Sequence, residues 1–194
     1  MSNVNVLREG AVGTIQIHRP EKRNALTIAM YDEMTAGLAS FAGDSAIRVV
    51  VIKGVPGAFT AGNDLGDFMQ SPPNGEDSPV FRFLLALIDF EKPIVASVDG
   101  AAVGIGTTLL LHCDYVVATT TTKFRMPFVP LGIVPEAASS LLLPALVGQA
   151  KASEWLLLGD VFSGPDARSA GLVNTIVEAG ELDTRTAEVA AKFA

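Results

Sequence analysis

Cysteine, histidine and basic charge are all scarce in this chain. Its 194 residues include one cysteine, two histidines and one tryptophan, and 14 Lys and Arg against 21 Asp and Glu give a net charge of −7. A single cysteine excludes an internal disulfide framework and fits a reducing, cytoplasmic setting. Cys113 ends the apolar run Leu109-Leu110-Leu111-His112 and reads as a packing residue rather than a nucleophile. His18 and His112 lie far apart, with no Cys or carboxylate cluster at ligand spacing, so no metal is expected. The basic residues form no run or stripe, which argues against a nucleic-acid partner but not against a small anionic ligand. The longest apolar stretches, such as 141–147 with Pro144 inside, fall far short of the ~20 residues that span a bilayer. Met1-Ser2-Asn3-Val4-Asn5-Val6 carries neither a basic nor an apolar signal segment, so no secretory signal and no membrane partner are expected.

What the chain has in quantity is apolar side chains and glycine. Hydrophobic residues make up 49% of it, and the mean hydropathy is +0.39. That suffices for a single domain over residues 1–194 with a sizeable core, and the excess points to a thick buried sheet or a subunit interface. Alternating strands are expected at 3–8 and 12–18, and an amphipathic helix at 26–41 with Ile28, Met30, Met34, Leu38 and Phe41 on one face. Arg48-Val49-Val50-Val51-Ile52 reads as a strand buried on both faces. Further strands are expected at 93–98 and 115–118, a turn at 119–122, and helices at 79–90, 106–111, 137–147, 149–157, 165–169 and 181–193. Residues 71–77 are the most loop-like stretch and the one expected to move most. Strands alternating with helices make this an α/β protein.

Two glycine loops carry the chemistry. Gly57-Ala58-Phe59-Thr60-Ala61-Gly62-Asn63-Asp64-Leu65 and Asp99-Gly100-Ala101-Ala102-Val103-Gly104-Ile105-Gly106-Thr107-Thr108 each follow an apolar run and lead into a helical pattern. Glycine lets backbone approach a ligand closely, and a strand-to-helix turn leaves amide N–H groups free. One amide from each loop can grip a single negatively charged oxygen. The plainer reading is a pair of tight turns without a ligand.

These loops, together with Arg19-Pro20-Glu21-Lys22-Arg23-Asn24-Ala25-Leu26, His112-Cys113-Asp114, Leu157-Leu158-Gly159-Asp160 and Ala167-Arg168-Ser169-Ala170-Gly171-Leu172-Val173-Asn174, resemble the crotonase (enoyl-CoA hydratase/isomerase) superfamily over about residues 5–190. The resemblance implies a crotonase/ClpP-like spiral of repeated ββα units. It also implies an acyl-CoA substrate with no separate cofactor, coenzyme A entering as part of that substrate, and a trimer or hexamer of identical chains. It places the oxyanion hole at the amides of Asn63 and Ile105, between Gly62 and the pair Gly104 and Gly106. By the same resemblance the adenosine end of coenzyme A falls against Arg23, Asn24, Ala25, Ala61 and Asp64, with Lys22 and Arg23 in reach of its phosphates and Leu65 a further substrate- or CoA-binding position. A solvated turn is the alternative for those two cations. The family's domain continues into helices beyond the region matching 178–194, which are expected to be missing from this chain.

A thioester α-proton is acidic only when the enolate oxygen is stabilised, and a positioned carboxylate must then move it. By resemblance, the two glutamates of the hydratases fall at Thr108 and Phe128, so water addition is not expected. Glu136, in Leu131-Gly132-Ile133-Val134-Pro135-Glu136, matches the single catalytic glutamate of the peroxisomal-type Δ3,Δ2-enoyl-CoA isomerase branch. One carboxylate suits a proton shuttle from C2 to C4. The competing reading makes Glu136 a first-turn acid capping the helix that follows. Asp64, Asp99 and Asp114 read as structural, His112 as a packed or interface histidine, and Trp155 as core or subunit contact.

Overall fold

The computed structural model describes residues 2–70, 75 and 77–194. The expected mobile stretch at 71–77 falls largely outside the described residues. In chain order, β1 (Val4–Glu9) and β2 (Val12–Ile17) form a hairpin and lead into α1 (Ile28–Ala42). Next come β3 (Val49–Lys53) and β4 (Ala58–Thr60), with α2 (Leu65–Gln70) and α3 (Pro79–Ile88). The third unit is β5 (Ile94–Val98), β6 (Ala101–Val103) and α4 (Ile105–Thr108). The fourth is β7 (Tyr115–Thr119), β8 (Lys123–Arg125) and α5 (Ser139–Val147). The chain closes with α6 (Gln149–Ser153), β9 (Phe162–Ser163), α7 (Gly164–Ala170), β10 (Thr175–Val177) and α8 (Leu182–Phe193). Strand pair followed by helix recurs, as expected for a spiral of ββα units.

The larger sheet has the order β1-β2-β3-β5-β7-β10, parallel except for the β1–β2 hairpin. Its central strands are buried on both faces because residues alternate between two cores. Val50, Ile52, Ala96, Val98, Val116 and Ala118 join Met30, Met34, Leu38 and Phe41 of α1 in the main core. Val49, Val51, Val95 and Val117 point the other way and pack under Leu182, Val189 and Ala190 of α8. The helix pattern expected at 26–41 thus lands on α1, capped at Thr27, whose side chain accepts from the Met30 amide.

The smaller sheet has the order β4-β6-β8-β9; β4 and β6 lie within the two glycine loops, and β8 and β9 in segments for which the sequence suggests no element. Its strands have two or three residues each, too short for any period to show in sequence. They form because Ala58 pairs with Ala101 and Ala101 with Lys123, partners far apart in the chain. This sheet sets the two glycine loops side by side. Other corrections concern ends of helices. The helix expected at 106–111 is α4 followed by a 3-10 turn over Leu109–His112, and that at 149–157 is α6 followed by a π-helical turn over Glu154–Leu158. Trp155 is core, stacked on Phe162 with centroids 3.8 Å apart.

Candidate active site

The glycine loops interlock through backbone contact. The Gly57 amide donates to Asp99 Oδ2 at 2.6 Å, and Thr119 Oγ1 donates to the other oxygen of Asp99 at 2.8 Å. Gly62 has φ +90°, and a Cβ there would stand 2.9 Å from the Val103 carbonyl oxygen, so only glycine lets the first loop rest on the second. Gly104, with φ 57° and ψ −118°, turns β6 abruptly into α4, a conformation closed to L side chains. Gly106 is buried in α4 against Thr60.

This packing frees two amides. Leu26 donates its N–H to the Gly62 carbonyl and accepts from the Asp64 amide, each at 2.8 Å. In a parallel bridge of that register, the N–H of the intervening Asn63 is turned away from Leu26. Ile105 is the first residue of α4, so its N–H has no preceding turn to bond. Neither amide donates to a described residue. Both residues line one cavity of about 530 Å³, together with Glu136, Phe128, Leu131 and Ile133.

Of the other residues expected at the site, Lys22, Ala25, Ala61, Gly62, Asp64, Leu65 and Gly104 line the same cavity, whereas Arg23, Asn24 and Gly106 do not. Arg23 is exposed. Asn24 is wholly buried and structural: its Nδ2 donates to the carbonyls of Ile17, Ala58 and Phe59 at 2.8–3.1 Å, and its Oδ1 accepts from the Arg19 amide at 2.7 Å. These bonds tie the end of β2 to β4 beneath the first loop. Arg19 Nη1 donates to the Ala25 carbonyl at 3.0 Å and to Asp64 Oδ2 at 2.8 Å. Asp64 Oδ1 also accepts from the amides of Gly66 and Asp67 at the start of α2. The Arg19 hydrogen bond, backed by those amides, holds the Asp64 carboxyl below the usual carboxylate range. Asp64 is a loop-fixing residue.

Glu136 is held in the opposite manner. It precedes two consecutive left-handed alanines, Ala137 and Ala138, both at φ +52°. Such a turn costs free energy and persists only where neighbours fix it. His112 Nε2 donates to the Ala137 carbonyl at 2.9 Å, while buried Ser139 donates its hydroxyl at 2.6 Å and its amide at 2.9 Å to the Glu136 carbonyl. The main chain is anchored and the carboxyl is not. Glu136 Oε1 is buried without a hydrogen-bond partner among the described residues, and burial pushes its pKa up to about 7. The capping alternative fails, because α5 starts only at Ser139 and its N-cap, Ala138, offers no side-chain bond. A second cavity of about 380 Å³, lined by Val80, Phe81 and Leu84, shares Asn63, Phe68, Phe128, Ile133 and Glu136 with the first.

The positions expected to lack an acid do so in a defined way. Phe128 is buried at the wall shared by both cavities, and Thr108 is buried with its hydroxyl directed at the Gly104 carbonyl. Asp64 and Glu136 are the carboxylates that line the larger cavity. Asp114 accepts from the Ile94 amide at 2.8 Å, a structural role like that of Asp99. Burial pushes the Cys113 thiol up, and Cys113 packs against the core. Among the described residues no three His, Cys, Asp or Glu gather as metal ligands would, and no helix is long and apolar enough to cross a membrane. The residue that the sequence did not single out is Tyr31, whose hydroxyl donates to Asn63 Oδ1. The available signal was a hydroxyl on the otherwise apolar buried stripe of α1.

The chain is 37% identical over 185 residues to enoyl-CoA delta isomerase 2 of Rattus norvegicus, covering 92% of this chain and 47% of that protein. It is 33% identical over 190 residues to the mitochondrial enoyl-CoA hydratase of Pongo abelii, covering 96% of this chain and 65% of that one. The chain spans about half the length of the delta isomerases 2 it matches, from rat and from Homo sapiens. The structure of Pseudomonas aeruginosa OdaA superposes with a TM-score of 0.96 at 46% identity, over 100% of this chain and 78% of that one. Residues 8–194 match the family described as enoyl-CoA hydratase/isomerase, and the chain belongs to that family, the crotonase superfamily.

Proposed function

We propose that this chain binds an acyl-CoA and moves the double bond of a 3-enoyl thioester to the 2 position. The observation that carries the reading is Glu136, a carboxyl with a buried, unpartnered oxygen and a pKa near 7, in the same cavity as the unbonded amides of Asn63 and Ile105. In this reading those amides hold the thioester oxygen. Glu136, ionised, takes a proton from C2, and the electron pair left behind delocalises over the thioester as a dienolate. The protonated Glu136 returns the proton to C4, and the double bond re-forms between C2 and C3. No water enters the balance.

Preorganised donors aimed at the developing charge supply several kcal/mol, roughly 3–4 for each donor lost by mutation. A base with a pKa near 7 is matched to neutral operation. Water addition calls for a second acid to hold the water, and the positions aligned with hydratase glutamates are Thr108 and Phe128. Asp64 is committed to Arg19. In this reading coenzyme A enters as part of the substrate, and Lys22, which lines the cavity, and the exposed Arg23 beside it are the cations offered to its phosphates. Exposed Leu131, Val134, Leu141, Leu157, Leu158 and Val161 support a homo-oligomer.

Turnover of 3-hexenoyl-CoA by Glu136→Gln tests the assignment. Isomerisation is expected to fall at least about 10³-fold, with CoA binding unchanged. Undiminished isomerisation in that variant would overturn it.

A further inference from the structure

The hydrogen bond from Tyr31 to Asn63 lies outside every role given above. Tyr31 stands on the buried face of α1, 1% exposed, with its ring edge-on to Phe83 of α3 at 5.5 Å and 60°. Its hydroxyl crosses to the first glycine loop and donates to Asn63 Oδ1. The peptides on either side of Asn63 are pinned by Leu26, through the Gly62 carbonyl and the Asp64 amide. Residue 63 itself has no backbone partner among the described residues, and Tyr31 is the one described side chain that bonds its side chain. Asn63 and Glu136 line both cavities.

We propose that Tyr31 is a positioning residue that clamps the Asn63 side chain, fixing the first loop so that the Asn63 backbone amide stays aimed into the cavity occupied by Glu136. The clamp has a definite polarity. An amide oxygen can only accept, so the phenol must donate, and the Asn63 Nδ2 donors are left for the cavity. No described protein group takes them. Burial, with the nearby Glu136 charge adding to it, holds the phenol pKa well above its ordinary value, so Tyr31 remains a donor throughout the pH range in which the carboxyl titrates. The catalytic consequence rests on the proposed double-bond shift. The clamp itself does not, and the two can fail separately.

Tyr31→Phe keeps the ring against Phe83 and removes only the hydroxyl. In the ligand-free protein, the order parameter of the Asn63 side-chain amide by NMR is expected to fall from the rigid range near 0.85 to below about 0.6. In turnover of 3-hexenoyl-CoA, kcat should drop about tenfold with KM within about twofold, since orientation rather than affinity is lost. On an Asn63→Ala background, which keeps the backbone amide, the same substitution should cost less than about twofold further. A purely structural tyrosine would lower activity by the same factor in both backgrounds. Unchanged Asn63 order in Tyr31→Phe, or full additivity with Asn63→Ala, would overturn the clamp. An ordered-to-mobile change at Asn63 in a protein that turns over no 3-enoyl-CoA would uphold the clamp and refute the proposed activity instead.

Discussion

Asp64 and Glu136 line the same cavity, yet one carboxyl accepts from Arg19, Gly66 and Asp67 while the other has an oxygen that no described group bonds. Their pKa values move in opposite directions as a result. Hydrogen bonds to the charged form lower that of Asp64, and burial without compensation raises that of Glu136 to about 7. The same contrast runs through the backbone around them. The Asp64 loop is stitched by Asn24, Arg19 and Leu26, all of which satisfy polar groups. The Glu136 segment spends His112 and Ser139 on holding two left-handed alanines in place and leaves the carboxyl bare. A carboxylate can serve as scaffold or as reagent, and its hydrogen-bond partners, more than its position in a cavity, separate the two.

The contrast breaks most visibly in turnover. Where Glu136→Gln is expected to remove activity, Asp64→Asn should keep isomerisation within about tenfold of wild type, since it loosens a loop without removing the base. Equal losses in a steady-state assay would erase the distinction. Stability should move the other way. A group whose folded pKa is raised stabilises fully below its unfolded pKa, here about 4.5, and that contribution is lost as pH rises through about 7. At pH 8 the buried charge therefore costs on the order of 3 kcal/mol. Glu136→Gln should raise Tm at pH 8 by on the order of 5–10 °C and leave it nearly unchanged at pH 4, as read by calorimetry. Asp64→Asn is the smallest effect, a destabilisation of about 1 kcal/mol at pH 7. Because the folded pKa of Asp64 is lowered, that loss should fade as pH falls below the ordinary carboxylate range, and a denaturant series across pH checks the sign.

Much of this was readable from sequence because the signals were local. β-branched runs gave β3 and β5, the apolar stripe gave α1, and two glycine-rich segments marked the loops that hold Asn63 and Ile105. Glu136 is legible by position, but a carboxyl oxygen without partners is not, since its surroundings come from α2, α3 and the segment after β8. The smaller sheet escaped because strands of two or three residues carry no period and exist only through distant pairing. Asn24 read as part of a ligand segment, yet its side chain serves β2 and β4, for the same reason: its partners at Ala58 and Phe59 are remote in sequence. Tyr31 and Asn63 are likewise joined only by folding.

The central claim, that the unpartnered Glu136 carboxylate is the base of a water-free double-bond shift, is tested most directly by kcat/KM for 3-hexenoyl-CoA isomerisation between pH 5 and pH 9. That quantity reports the ionisation of the free enzyme. A single acid limb centred near pH 7, matching the raised pKa of Glu136, is the predicted result. Activity that stays level down to pH 5 would contradict it.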